Sequence, residues 1–448
     1  MTSVAVSDNP LVLSQNRMLR LLTLLLFYFT QGFPVGVFFY AIPAWMAANG
    51  MGAGETAAVV AAASLPWTLK LANGFILDRY AYLPMGRRRA WIIGAQSLIV
   101  IGFLTVAVLA PAYSDVALLS ALGFVCNMAV TVQDVGIDSL AVDIMPEDER
   151  AKAGGIMFGA QMLGIAAATG MTGALLDAAG ITTALAVSSL IPASVALYGI
   201  VIRERPGEKR LPWSPGTAHP RNLDIQADRW GPLLKRGLVA IIVPASLLLL
   251  PMLLMRALPD GAFDSFGPIM TTQIGGWSLS EHTGTISSAQ MAAGLSGLLI
   301  GGFLVDYIGA ERSFRILWAI AALFMASIAL GESLWIERWF LSYYIFGWSI
   351  LATFLAIAMI PLAMRMCSPA VAATQFTIYM AVANFGRPLG AWLAAMLTGK
   401  GNDAALFWTI AGLFSLGFVL TLVIRFPQRD AAEQETADPS GGLHPVRD

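Results

Sequence analysis

Long apolar runs alternate with short polar breaks along the whole chain. A helical span of a bilayer needs about 20 mostly apolar residues. Runs of that kind recur at 19–47, 55–77, 90–111, 115–143, 151–177, 181–202, 242–272, 283–305, 313–331, 338–364, 372–398 and 404–425. The pattern predicts an all-α membrane protein with twelve transmembrane helices. The first run, Leu19 to Ala48, is too long for the apolar core of a secretion signal, and no small-residue cleavage site follows it. It reads as the first span. One polar interval, 203–241, is longer than the others and carries Lys209, Arg210, Pro212, Pro215 and Pro220. It predicts a linker between a six-helix half at 19–202 and a second at 242–426. Residues 1–18 form a short polar lead, and 427–448 read as a disordered tail.

The polar breaks also predict an orientation, because Lys and Arg collect in cytoplasmic loops. Arg17, Arg20, Arg79, Arg87, Arg88, Arg89, Arg150, Lys152, Arg312, Arg315, the linker cations and Arg425 fall on one side. Arg338 and Lys400 stand out on the other. Both termini and the linker are therefore expected in the cytoplasm.

The two halves look alike. With an offset of 225, Pro34 meets Pro259, Gly36 meets Gly261, Phe38 meets Phe263 and Pro43 meets Pro268. Asn73-Gly74-Phe75-Ile76-Leu77-Asp78 likewise resembles Gly301-Gly302-Phe303-Leu304-Val305-Asp306. Six spans precede the repeat, so the halves share one orientation, as in a parallel repeat about the membrane normal. Pro34 and Pro259 are expected to mark places where gating helices bend.

Composition sharpens the class. Hydrophobic residues make up 57% of the 448 and charged residues 12%, against roughly 25% charged in soluble domains. Net charge is -1, which suggests no nucleic-acid partner. Cys126, Cys367 and three scattered histidines have no metal-ligand spacing. No phosphate-binding Gly-x-x-x-x-Gly-Lys-Ser/Thr loop is present, so no ATP, cofactor or metal is expected.

Charges inside apolar spans are costly and tend to carry function. Lys70, about 12 Å inside the arginine-rich end of span two, could bind an anionic substrate or pair with a carboxylate. Asp134 and Asp138 share a face of span four. Two carboxylates that close raise one another's proton affinity, which suits proton coupling. Asp143, nearer the surface, reads as structural. Arg256, Asp260 and Asp264 recur every four residues in span seven, where Pro259 and Gly261 predict a kink or local unwinding. An Arg256–Asp260 pair that only stabilises the helix is the alternative. Arg387, about 20 Å into span eleven, wants a carboxylate or phosphate from protein or ligand. Tyr28, Gln31, Phe39, Tyr40 and Trp45 of span one are candidate cavity residues. The assignment that follows is Gln31, Lys70, Arg256 and Arg387 for substrate and Asp134, Asp138 and Asp260 for protons.

Between spans two and three, Asp78-Arg79 precedes Gly86-Arg87-Arg88-Arg89, and Asp306, Gly309 and Arg312 form a reduced copy. This resembles the Gly-x-x-x-Asp-Arg-x-Gly-Arg-Arg motif of the major facilitator superfamily, with a longer gap. An ion-pair lock among Asp78, Arg79, Gly86, Arg87, Arg88, Asp306 and Arg312 is one reading; cations that merely obey the positive-inside rule are the other.

Gln133-Asp134-x-x-x-Asp138-x-x-x-x-Asp143-x-x-Pro146-x-x-Glu149-Arg150 resembles the fourth span of AmpG-type muropeptide permeases. So do Gly86-Arg87-Arg88-Arg89-x-Trp91 with Gln96, and Ala373-Thr374-Gln375-Phe376 with Gly386-Arg387. Gln31-Gly32-Phe33-Pro34-x-Gly36 and Pro66-Trp67-x-x-Lys70 look equally like the related acetyl-CoA transporters and siderophore permeases. The resemblance implies a major facilitator fold and proton-coupled uptake from periplasm to cytoplasm across a bacterial inner membrane. An anhydro-muropeptide is the first substrate expected, and a siderophore or other anionic or amphiphilic solute the second. The expected partners are that solute, protons and lipid, with the chain acting as a monomer. A receptor or assembly factor is the non-transport alternative. A membrane-embedded transferase is another, but its only candidate site, the span-four aspartates, lacks histidine partners.

Overall fold

The computed structural model describes residues 11–145, 147–223, 244–366 and 372–424. Apart from a single bridge between Val12 and Arg203, the described residues are helices and turns. The described residues form twelve long helical segments: α1 (Arg17–Ala48), α2 (Ala53–Arg79), α3 (Arg89–Leu109), α4 (Val116–Ile144), α5 (147–179), α6 (181–201), α7 (244–274), α8 (279–308), α9 (Ala310–Leu330), α10 (Arg338–Arg365), α11 (Ala372–Leu397) and α12 (Ala404–Val423). The turn between α5 and α6 is a single residue, Gly180, at φ 75°, a conformation that glycine adopts without a Cβ clash.

Among the described residues, seven helices, counting the joined 156–201 stretch as one, are long and apolar enough to cross a membrane. The long helices that fall short, α2, α7, α8 and α11, carry Lys70, the Arg256–Asp260–Asp264 row, Gln290 and Arg387. Their apolarity is diluted by side chains that face the interior. Large apolar residues such as Val108, Leu299, Phe303, Leu323 and Val423 are exposed on the outside of the bundle, as expected when the surrounding solvent is lipid.

Small residues set the helix seams, since close packing replaces the hydrophobic drive that lipid cannot supply. A methyl group added at Gly261 of α7 would lie 1.8 Å from the Arg387 carbonyl oxygen, and one at Gly390 of α11 would lie 1.7 Å from that of Leu258. The α1–α5 pair is built the same way: Gly164 would meet the Phe29 carbonyl at 1.9 Å and Gly32 the Ile165 nitrogen at 2.3 Å. Helices at corresponding places in the two halves thus use glycine for the same purpose.

Gly261 is accordingly a contact residue rather than a break. The chain stays α-helical through Pro259 and Gly261, and α7 is not unwound there. Its π-helical turn comes later, at Met270–Ile274, after Pro268. In α1 a π-helical turn at Gly36–Ala41 does follow Pro34 directly. The backbone of α11 lies against Gly261 and leaves no room for unwinding beside Pro259.

Residues 203–223 are packed rather than strung out. Leu13 and Ser14 donate backbone N–H bonds to the carbonyls of Arg203 and Glu204 at 2.9 and 3.0 Å. Glu204 and Glu208 are buried. Residues 224–243 and the 427–448 tail lie outside the described residues.

Candidate functional site

A cavity of about 240 Å³ lies between the two halves. One wall comes from α7 and α11. The unbroken α7 places Arg256, Asp260 and Asp264 on one face, as their spacing of four requires. Arg387 of α11 faces that row. Its Nη1 is 2.8 Å from Asp264 Oδ2, and its Nη2 is 3.9 Å from Asp260 Oδ2. Arg256 Nη2 reaches the same Asp260 oxygen at 3.6 Å. Two cations and two carboxylates therefore balance in one row. Asp264 is 1% exposed, and among the described residues neither of its oxygens receives a hydrogen bond. The Arg387 charge is the support it has. Removing one partner of such a buried pair costs roughly 3–5 kcal/mol, so Asp264 would be strongly affected by anything that draws Arg387 away.

The opposite wall is aromatic and amide. The Arg387 guanidinium lies 4.6 Å from the centre of the Phe39 ring, a cation–π contact that spans the halves. Tyr40, Trp67, Phe158 and Gln161 continue this wall, and Gln290, Trp348 and Asn384 complete the lining. Gln290 donates to the Tyr40 hydroxyl at 3.2 Å, and Asn384 to the Trp67 carbonyl at 3.2 Å. Gln31 stands one layer back. Its Oε1 accepts from Gln161 at 3.1 Å, while its buried Nε2 has no hydrogen-bond partner among the described residues. Of the four residues assigned to substrate from the sequence, Arg256 and Arg387 line the cavity and Gln31 supports a lining residue.

Lys70 belongs to a second cluster. It is ion-paired with Asp134 and lies 3.5 Å from Asp138. The Tyr28 hydroxyl donates to Asp138. The side chain of Asp134 is 5% exposed and that of Asp138 43%, so one carboxylate is buried and the other is exposed. The residues assigned to protons are thus split between two places: Asp134 and Asp138 beside Lys70, and Asp260 in the cavity wall.

The arginine-rich loop before α3 is held by acids that the proposed lock did not include. Arg87 and Arg88 lie 3.6 and 3.7 Å from Asp143. The backbone N–H groups of Arg87, Arg88 and Arg89 donate to the Glu204 carboxylate at 2.8, 2.8 and 2.5 Å. A Cβ at Gly86 would fall 2.4 Å from that carboxyl group. The Arg89 guanidinium donates to the carbonyls of Met85, Gly199, Ile200, Lys209 and Arg210. Arg79 and Arg312 are exposed. The side chains of Asp78 and Asp306 lie outside the described part of the structure.

Comparison with known proteins bears on this architecture. Residues 24–391 match the family described as Major Facilitator Superfamily. The chain belongs to that superfamily. The anhydromuropeptide permease of Escherichia coli strain K12 is 24% identical over 148 residues, which are 33% of this chain and 30% of that protein's length. Among solved structures, the nucleoside transporter NupG superposes with a TM-score of 0.68 at 15% identity, covering 90% of this chain and 98% of that one. A mutant of the peptide transporter POT in complex with alafosfalin gives a TM-score of 0.66 at 14% identity, covering 92% and 96%. Both likenesses show the fold.

In this facilitator the halves meet along two seams. On the first, Gly170 and Gly173 of α5 face Ser287 and Thr283 of α8, and Ser287 donates to the Ala166 carbonyl at 2.8 Å. On the second, Ala57 and Val60 of α2 pack on Ala391 of α11. Toward the arginine-poor end, Thr56 donates to the Ser265 carbonyl at 2.9 Å, Gln273 to the Ala47 carbonyl at 2.8 Å, and Ser280 to Asp177 at 2.5 Å. Among the described residues, these bonds between the halves gather toward the arginine-poor end.

The amide lining, Gln161, Gln290 and Asn384, was not assigned from the sequence. Its signal was present: each is a carboxamide within an otherwise apolar or small-residue run.

Proposed function

We propose that this transporter is a proton-coupled importer of anhydro-muropeptides, with its arginine-rich end in the cytoplasm. The observation that carries the reading is Arg387, a guanidinium inside the cavity shared between Asp260 and Asp264 and stacked on Phe39 of the other half. A carboxylate of the peptide part of the solute takes the Arg387 fork. The aromatic and amide wall takes the sugar rings and their amide groups. The partial likeness to an anhydromuropeptide permease favours that solute over others.

Proton coupling follows from the same contact. When solute draws Arg387 away, Asp264 keeps a buried charge with no donor, and a proton on its carboxyl group relieves the cost. Lys70, Asp134 and Asp138 act as a second site in the first half, where a proton on Asp134 frees Lys70 to follow Asp138. The bonds between the halves toward the arginine-poor end favour an inward-facing state, after release of solute.

The test is uptake of radiolabelled N-acetylglucosaminyl-anhydro-muramyl peptide into proteoliposomes with an acidic exterior. Accumulation that disappears when a protonophore collapses the gradient is expected. Uptake indifferent to the gradient removes proton coupling, and absence of uptake beside active transport of a siderophore removes the solute assignment.

A further inference from the structure

One ordered feature is used by neither cluster. Residues 207–217 form a stapled turn at the arginine-rich end. Arg210 and Leu211 donate backbone N–H bonds to Ser214 Oγ at 2.9 and 3.0 Å, Lys209 Nζ reaches the Pro212 carbonyl at 3.0 Å, and Thr217 closes the base on Gly207 at 3.0 Å. The base is bolted to the first half: Lys209 donates to the Pro84 carbonyl at 2.8 Å, and Arg89 takes the Lys209 carbonyl at 2.8 Å. At the apex, between Pro212 and Pro215, Trp213 is 81% exposed. The fold thus spends chain entropy to hold an indole away from itself. Single exposed apolar residues are ordinary, but this one has company. The loop that Lys209 abuts exposes Tyr80 and Tyr82.

The charges of this corner are sorted as well. Its described acids are occupied internally: Glu204 on three backbone N–H groups, Glu208 on Arg205 and Asn222, and Asp143 on Arg87 and Arg88. Of its cations, Arg79 is exposed and Lys209 and Arg210 are half-buried. An indole and two phenols beside cations, at the rim of a bundle that crosses a bilayer, match the headgroup layer, where amphipathic aromatic rings settle and anionic lipids attract basic residues.

We propose that the 207–217 turn is a membrane-surface anchor that binds anionic phospholipid headgroups, with Trp213 inserted at the interface and Arg79, Lys209 and Arg210 on the phosphates. Through Glu204 and Arg89 the same turn is tied to the loop before α3, so the lipid around the protein bears on how that loop is held.

The experiment uses the full chain with Cys126 and Cys367 replaced by Ala and Trp213→Cys carrying a bimane label. The protein is placed in vesicles of phosphatidylcholine alone or mixed with phosphatidylglycerol. Quenching by lipids brominated near the headgroup, weak quenching by aqueous iodide, and a preference for brominated phosphatidylglycerol are expected. Arg79→Gln and Lys209→Gln lower that preference by about fivefold each. Full iodide quenching in both vesicle types overturns the proposal. So does a label shielded only when a soluble cytoplasmic fraction is added, which would mark a protein partner instead. Retained uptake by the labelled chain separates this result from any failure of the transport assignment.

Discussion

At the scale of single residues, the decisive property is how few partners each buried charge has. Arg387 serves Asp264, Asp260 and the Phe39 ring at once. Arg387→Lys keeps the charge but loses the planar fork. Half-saturation for solute is expected to rise about tenfold, the value of one charge-assisted hydrogen bond of roughly 1.5 kcal/mol, as read from concentration-dependent uptake. Glu208 offers a test of a different kind. Burial, aided by the Glu204 charge, pushes its carboxyl up to about 7 from an ordinary 4.5. An acid raised in the folded state binds more protons folded than unfolded between those values, so its contribution is present at low pH and is lost as pH rises through about 7. The melting temperature of purified protein is expected to fall between about pH 5 and about pH 8, and Glu208→Gln to flatten part of that fall. An equal fall in the variant would assign the pH dependence elsewhere.

At the scale of helices, spacing in the sequence told which residues share a face, and close approach told why glycine is there. The four-residue rhythm of Arg256, Asp260 and Asp264 is realised because α7 is not interrupted at Pro259. Gly261 reads in sequence as a hinge beside a proline, but it receives the backbone of α11. Sequence alone does not separate these roles, since both call for a missing Cβ. Gly261→Ala forces a methyl group onto the Arg387 carbonyl, and a loss of about 1–3 kcal/mol or more is expected, seen as a lower melting temperature and a weaker monodisperse peak. Gly412→Ala, with nothing within 4 Å of the added carbon, is expected to leave both unchanged.

At the scale of the whole molecule, the two halves touch through small-residue seams and are bonded toward one end. Cysteines at Ala47 and Gln273, whose residues are already joined at 2.8 Å, are expected to be bridged by a short bifunctional thiol reagent without added solute. Uptake should stop when they are bridged and return on cleavage of the reagent. Uptake that continues in the bridged protein would mean that this end need not open. The stapled 203–223 segment belongs to this scale too. Composition marks it as polar and proline-rich, whereas its buried Glu204 and Glu208 are held by groups more than a hundred residues away or across a turn.

Class, helical content and the positions of the membrane-buried charges were legible in the chain itself. Lipid leaves helices no alternative to long apolar runs, and a charge within such a run is visible wherever it falls. The likeness between the halves was legible too, because Pro34 and Pro259 or Gly36 and Gly261 keep their order. Pairing was not. Lys70 joins Asp134 and Asp138 rather than the cavity, Arg387 joins Asp264, and Glu204 rather than a nearer acid holds the loop before α3. These contacts depend on the rotation and depth of each helix against its neighbours, which small-residue packing sets and hydropathy does not encode. The twelve runs announce a membrane bundle; the packing of those runs selects which of its charges meet.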